Sequence, residues 1–372
     1  MSSVPSPPPS TAAVDPPPPP LAIATRLHLG ESSRPPARAR LIETLVSFSN
    51  LAVSSGASLA ILAVDATRRD DGYDLASAIE DVLLLLPSSS KSATTKTTSD
   101  GEGGGGEDAT TTTTTATTAS FATTMRVMPV TPWGKFVPGL NAIVSHCANA
   151  GARRVLMISA EIRISKDGVE MLSSYFDDDT LVVGAALRGH DHRRRRLRRN
   201  IPASSSSSSA EDRGVGGEER EEAAEVEVEL TGRTAPWNTC AIWDVNKLAL
   251  TGFLLVSEGL HRAEGGVVVG CEGGTNNANT NTTKSTSTST DAGAAGVEEV
   301  ATIAVIQRVL SHRRARAKLV MLRPDMIDWD EDFDDDEGRR EWHERKMRSK
   351  LSRARRQLEL LNLVGSGIVI HC

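Results

Sequence analysis

The sequence predicts an α/β fold, a mostly parallel sheet flanked by helices, and three observations carry that expectation. Short apolar runs alternate along the chain with longer stretches whose apolar residues recur at helical spacing, the signature of βαβ units. The apolar runs stop abruptly in polar residues, as at Asp65 and at Ser159-Ala160-Glu161. Low-complexity insertions fall between these elements and not inside them, where loop closure entropy grows slowly with length.

The elements follow in order. Leu21 to Leu29 reads as a first strand, and Ala37 to Ser54 as a helix with Leu41, Leu45, Phe48 and Leu51 at helical spacing. Ser58 to Val64 is a buried strand ending at Asp65, followed by a helix from Asp74 to Leu86. Met125 to Val130 is a strand, and Val137 to Ala150 a helix with Leu140, Ile143, Val144 and Cys147 on one face. Gly151 stands where a helix stop is expected. Val155 to Ile158 is the next strand, Lys166 to Phe176 the next helix and Leu181 to Leu187 another strand. Asn238 to Trp243 reads as a strand, Val245 to Leu250 as a helix, Gly296 to Ser311 as an amphipathic helix and Lys318 to Leu322 as a short strand. A long basic helix, Arg339 to Leu363, follows the acidic run Asp328 to Glu337.

Composition bounds the chain further. Of 372 residues, four segments are low in complexity: Met1 to Pro20, Ser88 to Thr124, Ala203 to Glu229 and Cys271 to Gly296. Such segments bury too little apolar surface to offset chain entropy, so disorder is expected there. What remains, roughly 260 residues, suits one α/β domain over about 21–325, with residues 326–372 as an acidic linker and a basic amphipathic helix. Aromatic residues make up only 3%, so Val, Ile, Leu and Ala must build the core. The formal charge of −6 argues against a dedicated nucleic-acid binder. The four cysteines, Cys147, Cys240, Cys271 and Cys372, lie far apart without CxxC spacing, which speaks against a zinc site or a disulfide framework and fits a reducing, cytoplasmic compartment. No secretory signal and no membrane-spanning apolar run is visible, while the Ser/Pro-rich start leaves an organelle transit segment open.

Five segments, taken in order, resemble the GT-A fold of nucleotide-diphospho-sugar transferases, most closely glycosyltransferase family 2. Val64-Asp65-Ala66-Thr67 with Asp70 is similar to the family's V-D-D-G-S-x-D strand end, with Ala66 in place of the second Asp. The resemblance implies that Asp65 and Thr67 meet the nucleoside; the alternative is a strand-end Asp capping its own turn. Gly134-Lys135-Phe136 with Leu140-Asn141-Ala142 resembles the helix beneath the donor, which implies Lys135 and Asn141 near the diphosphate. Ser159-Ala160-Glu161 falls where the family has D-x-D, which implies Glu161 and Ser159 as ligands of Mg²⁺ or Mn²⁺, with a hydroxyl in place of the first carboxylate. Thr234 to Phe253 resembles the acceptor-side segment and implies Trp237 and Trp243 stacked on a sugar ring, the alternative being core tryptophans. Val297-Glu298-Glu299 resembles the family's acidic pair, which implies Glu299 as the catalytic base, its carboxylate held ionised by the helix dipole.

The function so implied is transfer of a sugar from a nucleotide-sugar donor to an acceptor hydroxyl, with inversion. A second reading is a GT-A-like protein that binds nucleotide or partners without catalysis. A third is an RNA-associated protein using the arginine-rich run His190 to Asn200. That run, like the basic face of the C-terminal helix, also offers an anionic-surface contact, while the acidic stretch Glu211 to Glu229 and packing against the domain are the intramolecular alternatives. Trp342 and His343 of that helix are further candidates for the site.

Overall fold

The computed structural model of the chain describes residues 20–29, 35–67, 69–85, 124–193, 225–259, 262–263, 266–267, 296–329 and 337–372. In chain order these form β1 (Leu21–Leu27), α1 (Arg38–Ser54), β2 (Leu59–Asp65), α2 (Leu75–Leu85), β3 (Thr124–Val130), α3 (Val137–Asn149), β4 (Arg154–Ile158) and β5 (Ile162–Ile164). Next come α4 (Lys166–Ser174), β6 (Thr180–Ala185), β7 (Val226–Glu229), β8 (Cys240–Asp244), α5 (Val245–Leu248) and the two-residue strands β9 (Arg262–Ala263) and β10 (Gly266–Val267). The remainder is α6 (Glu298–Leu310), β11 (Arg316–Val320), β12 (Ile327–Trp329), α7 (Glu337–Leu360) and β13 (Ile368–His371). Among the described residues no helix is long and apolar enough to cross a membrane.

Nine strands make one mixed, mostly parallel sheet in the order β3-β2-β1-β4-β8-β6-β11-β13-β7. The runs β3-β2-β1-β4 and β6-β11-β13 are parallel. Between them lies β8, antiparallel to both neighbours, with Cys240 opposite Ile158 and Trp243 opposite Val182. Because β8 runs backwards, its first residues lie at the edge where β1, β2, β4 and β6 end. Alternate residues of each strand face opposite sides. Ala22, Ala24, Val155 and Met157 pack under α3 and α6, while Ile23, Leu156 and Leu62 pack under α1, α2 and α4.

The expected strands and helices are present with small shifts at their ends, and three features depart from expectation. β7 occupies the last residues of the segment 203–229, which reads as low complexity: its Val-Glu-Val-Glu pattern half-buries Val226 and Val228 on an edge strand. The C-terminal segment is no appendage, because β13 runs parallel to β11 inside the main sheet and buries Val369 and Ile370. β12 pairs with β5 in a separate two-stranded sheet.

The carboxyl edge of the sheet is held by long-range side-chain clamps. Glu258, at the end of a 3-10 turn (Leu255–Glu258), accepts the backbone N–H groups of Lys135 (2.5 Å), Phe136 (2.8 Å) and Val137. The last two belong to the N-cap and the first residue of α3, donors that a helix start leaves without intrahelical partners, and α3 has no cap from the Phe136 side chain. A carboxylate there also suits the positive end of the helix dipole. Asn141 clamps the neighbouring loop: its Oδ1 accepts from Phe253 N–H (2.7 Å) and its Nδ2 donates to the Phe253 carbonyl (3.0 Å).

Replacing Glu258 by Ala strands three backbone donors, and each buried donor left unpaired costs about 1–3 kcal/mol. The E258A variant is therefore expected to lose several kcal/mol of stability in urea unfolding, and E258Q less, because the amide oxygen still accepts.

Candidate functional site

The polar residues at the carboxyl edge come from elements far apart in the chain. Arg26 is the penultimate residue of β1 and His28 follows that strand; β2 ends in Asp65; Trp133 follows β3; Ser159 and Glu161 follow β4; Asn238 precedes β8; and Glu298 and Glu299 open α6. Open α/β sheets hold ligands at this edge, because strand ends and helix starts present unpaired polar groups there.

Its centre is a pair of buried carboxylates, Glu298 at 6% and Glu299 at 5% exposure. The turn before them is unusual: Gly296 has φ 122° and Val297 φ 56°. A β-branched residue with positive φ is strained, and strain of that kind persists where surrounding contacts hold it. Asn238 binds both acids. Its backbone N–H donates to Glu299 Oε1 (2.6 Å), its Nδ2 donates to Glu298 Oε1 (3.2 Å), and its Oδ1 accepts from Trp243 Nε1 (2.9 Å). Arg26 Nη2 stands 3.7 Å from Glu298 Oε1.

Electrostatics separate Glu299 from an ordinary carboxylate. Burial first, and the neighbouring Glu298 second, push its carboxyl up to about 7, against the pull of Lys350 from α7 and the hydrogen bond from Asn238. The dipole of α6, expected to keep Glu299 firmly ionised, is outweighed by desolvation and like charge.

The other end of the edge is built from β1, β2 and β3. Asp65 Oδ1 accepts from Thr67 N–H (2.9 Å), so the aspartate caps its own turn. Thr67 Oγ1 accepts from Trp133 N–H (3.4 Å), and His28 stacks on the Trp133 ring with centroids 5.9 Å apart. Partial desolvation and then Arg26 hold the His28 imidazole below its usual range, with Asp65 pulling the other way. Trp133 is 3% exposed and its Nε1 has no hydrogen-bond partner.

Several expected roles change. Trp237 and Trp243, expected on an acceptor sugar, are 1% and 0% exposed and belong to the two cores. Trp237 Nε1 donates to the Gly232 carbonyl (2.9 Å), and Trp243 meets Phe253 edge-on. With so few aromatic side chains, the chain uses its large rings to fill the interior. Asn141, expected beside a diphosphate, spends its amide on Phe253. Lys135 is exposed, but the backbone donors around it, which would cradle a phosphate, are occupied by Glu258.

Ser159 and Glu161 supply one hydroxyl and one exposed carboxylate. Among the described residues no three His, Cys, Asp or Glu side chains gather to hold a metal ion. Hard divalent cations take six or more oxygen ligands, which beside a nucleotide come from one or two protein side chains together with phosphate and water oxygens; Glu161 and Ser159 would supply two of them. Ser159 also borders a cavity of about 360 Å³ on the α1 side, lined by Thr25, Thr44, Phe48, Ile162 and Ile164. The arginine run from residue 194 to 199 lies outside the described residues, as do the side chains of Trp342 and His343.

No family model matches the chain, and no curated protein matches it. The site therefore stands on its own geometry. That geometry adds Arg26, His28, Trp133 and Asn238 to the residues read from sequence. One signal for the first two was available: Arg26 and His28 are polar residues at the end of an otherwise apolar strand. Asn238 gave no such signal, since its partners lie 60 and 61 residues away.

A buried acid with a raised pKa costs stability when it ionises. For Glu299 that cost is absent below the ordinary carboxylate range, grows as pH rises from there towards about 7, and levels off above it. The E299Q variant keeps the acceptor for Asn238, so it is expected to melt near wild type at pH 5 and several degrees above it at pH 8. Thermal unfolding across that range checks the sign.

Proposed function

We propose that the carboxyl edge binds a nucleotide-diphospho-sugar and transfers its sugar to an acceptor hydroxyl, as a glycosyltransferase similar to family 2 of the GT-A fold. The observation that carries this reading is the buried Glu298–Glu299 pair, presented by a strained turn at the ligand-binding edge of a mostly parallel sheet. A general base works best with a pKa near the operating pH, and Glu299 is tuned there. With Oε1 held by Asn238, its other oxygen is the one to take the acceptor proton. The acceptor oxygen then bonds to the anomeric carbon as the carbon–oxygen bond to the diphosphate breaks. The bonding pair leaves with the diphosphate, and in-line attack inverts the centre.

The nucleoside end of such a donor fits the Asp65, His28 and Trp133 side. His28 stacked on Trp133 offers an aromatic face to a base, and the second Asp65 oxygen offers an acceptor to ribose hydroxyls. Glu299 and Asp65 then lie at opposite ends of one donor, with Arg26 between them on β1.

A second reading is supported by other observations. Glu258 occupies the start of α3, and Ser159 stands where a carboxylate would serve a metal. A chain that binds nucleotide without transferring sugar fits those two features equally well.

The test is thermal stabilisation by a panel of nucleoside diphosphates in EDTA and in Mn²⁺, followed by nucleotide release from the matching nucleotide-sugars. Ligand binding to the folded state raises the melting temperature, by an amount set by RT ln(1 + [L]/Kd). A shift in EDTA with release that falls at least about 100-fold in E299Q is the expected result. A shift without release in wild type supports the non-catalytic reading. A shift confined to Mn²⁺ returns Glu161 to a metal-binding role, and no shift with any nucleotide overturns both readings.

A further inference from the structure

Helix α7 lies across the carboxyl edge on a seat shaped for it. A side chain at Gly232 would strike the Lys350 carbonyl, and one at Gly296 would strike the Arg353 guanidinium. These two glycines lie on separate loops, one before β8 and one before α6. Gln357, 2% exposed, donates to the Gly296 carbonyl (2.5 Å) and accepts from Ser257 Oγ (3.3 Å). α7 is thus fastened to the strained turn that presents the acidic pair.

Two turns before Gln357, Lys350 places its Nζ 2.9 Å from the centroid of the Trp237 ring. The His190 ring stacks on the same indole with centroids 3.6 Å apart. An ammonium and an imidazole that close to one centroid must occupy opposite faces, so Trp237 is sandwiched between them. The residue after Trp237 is Asn238, which holds both glutamates. A cation–π contact, stronger where water is excluded, therefore holds Lys350 against the buried ring that directly precedes the asparagine binding both acids.

We propose that Lys350 is a positioning residue for Glu299: α7 carries it to the site as the counter-charge that lets the buried acidic pair ionise at neutral pH while Asn238 orients it. Two like carboxylates at one helix start cannot both ionise readily without a nearby positive charge. Among the described residues, the charged groups around Glu299 are Glu298 on its own helix, Lys350 on α7 and, against the Gly296 turn, Arg353 of α7, with Arg26 of β1 engaged on Glu298. Lys350 draws the Glu299 carboxyl down, against burial and Glu298. A half-buried ammonium against the Trp237 ring fits this purpose better than a solvated one, because Coulomb interactions there are screened less. The catalytic consequence rests on the reading of Glu299 as a base; the electrostatic one does not.

The experiment is a pH titration of the full chain labelled with ¹³C at the glutamate carboxyl carbon, the Glu299 signal being identified by its loss in E299Q. Lys350→Met is expected to raise the Glu299 midpoint by on the order of one pH unit, and Lys350→Arg to leave it close to wild type. A midpoint unchanged in Lys350→Met overturns the proposal. So does an equal shift in both variants, which would assign the effect to packing and not to charge. Circular dichroism and melting confirm that each variant is folded, and Lys350→Gln replaces Lys350→Met if the latter is not. In nucleotide release, Lys350→Met is expected to move the pH profile of kcat to alkaline pH with little change in donor KM, and Lys350→Arg to leave the profile near wild type. If the midpoint moves while no nucleotide-sugar is turned over, the role of Lys350 stands and the transferase reading falls.

Discussion

Two carboxylates buried side by side are the constraint around which the carboxyl edge is organised. Neighbouring buried acids repel each other and lose hydration, and both effects oppose ionisation. The chain answers with Asn238, which reaches both acids and is itself fixed by Trp243. That single asparagine explains other placements. β8 must run antiparallel so that its start, and not its end, arrives at the edge where β4 and β6 finish. Trp243 must be inside, since its indole N–H anchors the asparagine. Trp237 must be inside as well, since it forms the wall against which Lys350 rests.

The same economy recurs around the edge. Glu258 closes the start of α3, Asn141 ties α3 to Phe253, and Gln357 ties α7 to the turn before α6. Each joins segments more than sixty residues apart. Each satisfies backbone groups that would otherwise be buried without partners, which costs more than an average hydrogen bond returns. Loops at the ligand edge of α/β sheets are usually the least constrained part of the fold; here side chains from three elements fasten them.

Much of the fold was legible in the sequence because apolar periodicity reports burial directly. Strand runs such as SLAILAV and helix spacings such as Leu41, Leu45 and Phe48 left little choice. The direction of β8 was not legible, because a strand buried on both faces looks alike read either way. β13 was hidden because Ile368 to Ile370 is a short run beyond a helix that reads as a tail. The roles of Asn141, Trp237 and Trp243 failed for one common reason. Local context cannot tell a polar or amphipathic side chain that meets a ligand from one that meets distant backbone, and in this chain all three meet protein. The acidic pair was visible as residues, but its tuning was not, since that depends on Asn238 and Lys350 arriving from 60 or more and about 50 residues away.

The most direct test of the account is a crystal structure of the chain with a bound nucleoside diphosphate. The expected result places the base on the outer face of His28, the ribose beside Asp65, and the terminal phosphate on the side of Arg26 that leads to Glu299. Nucleotide density lying instead in the cavity beside α1, or with its terminal phosphate directed away from the Glu298–Glu299 pair, would contradict it.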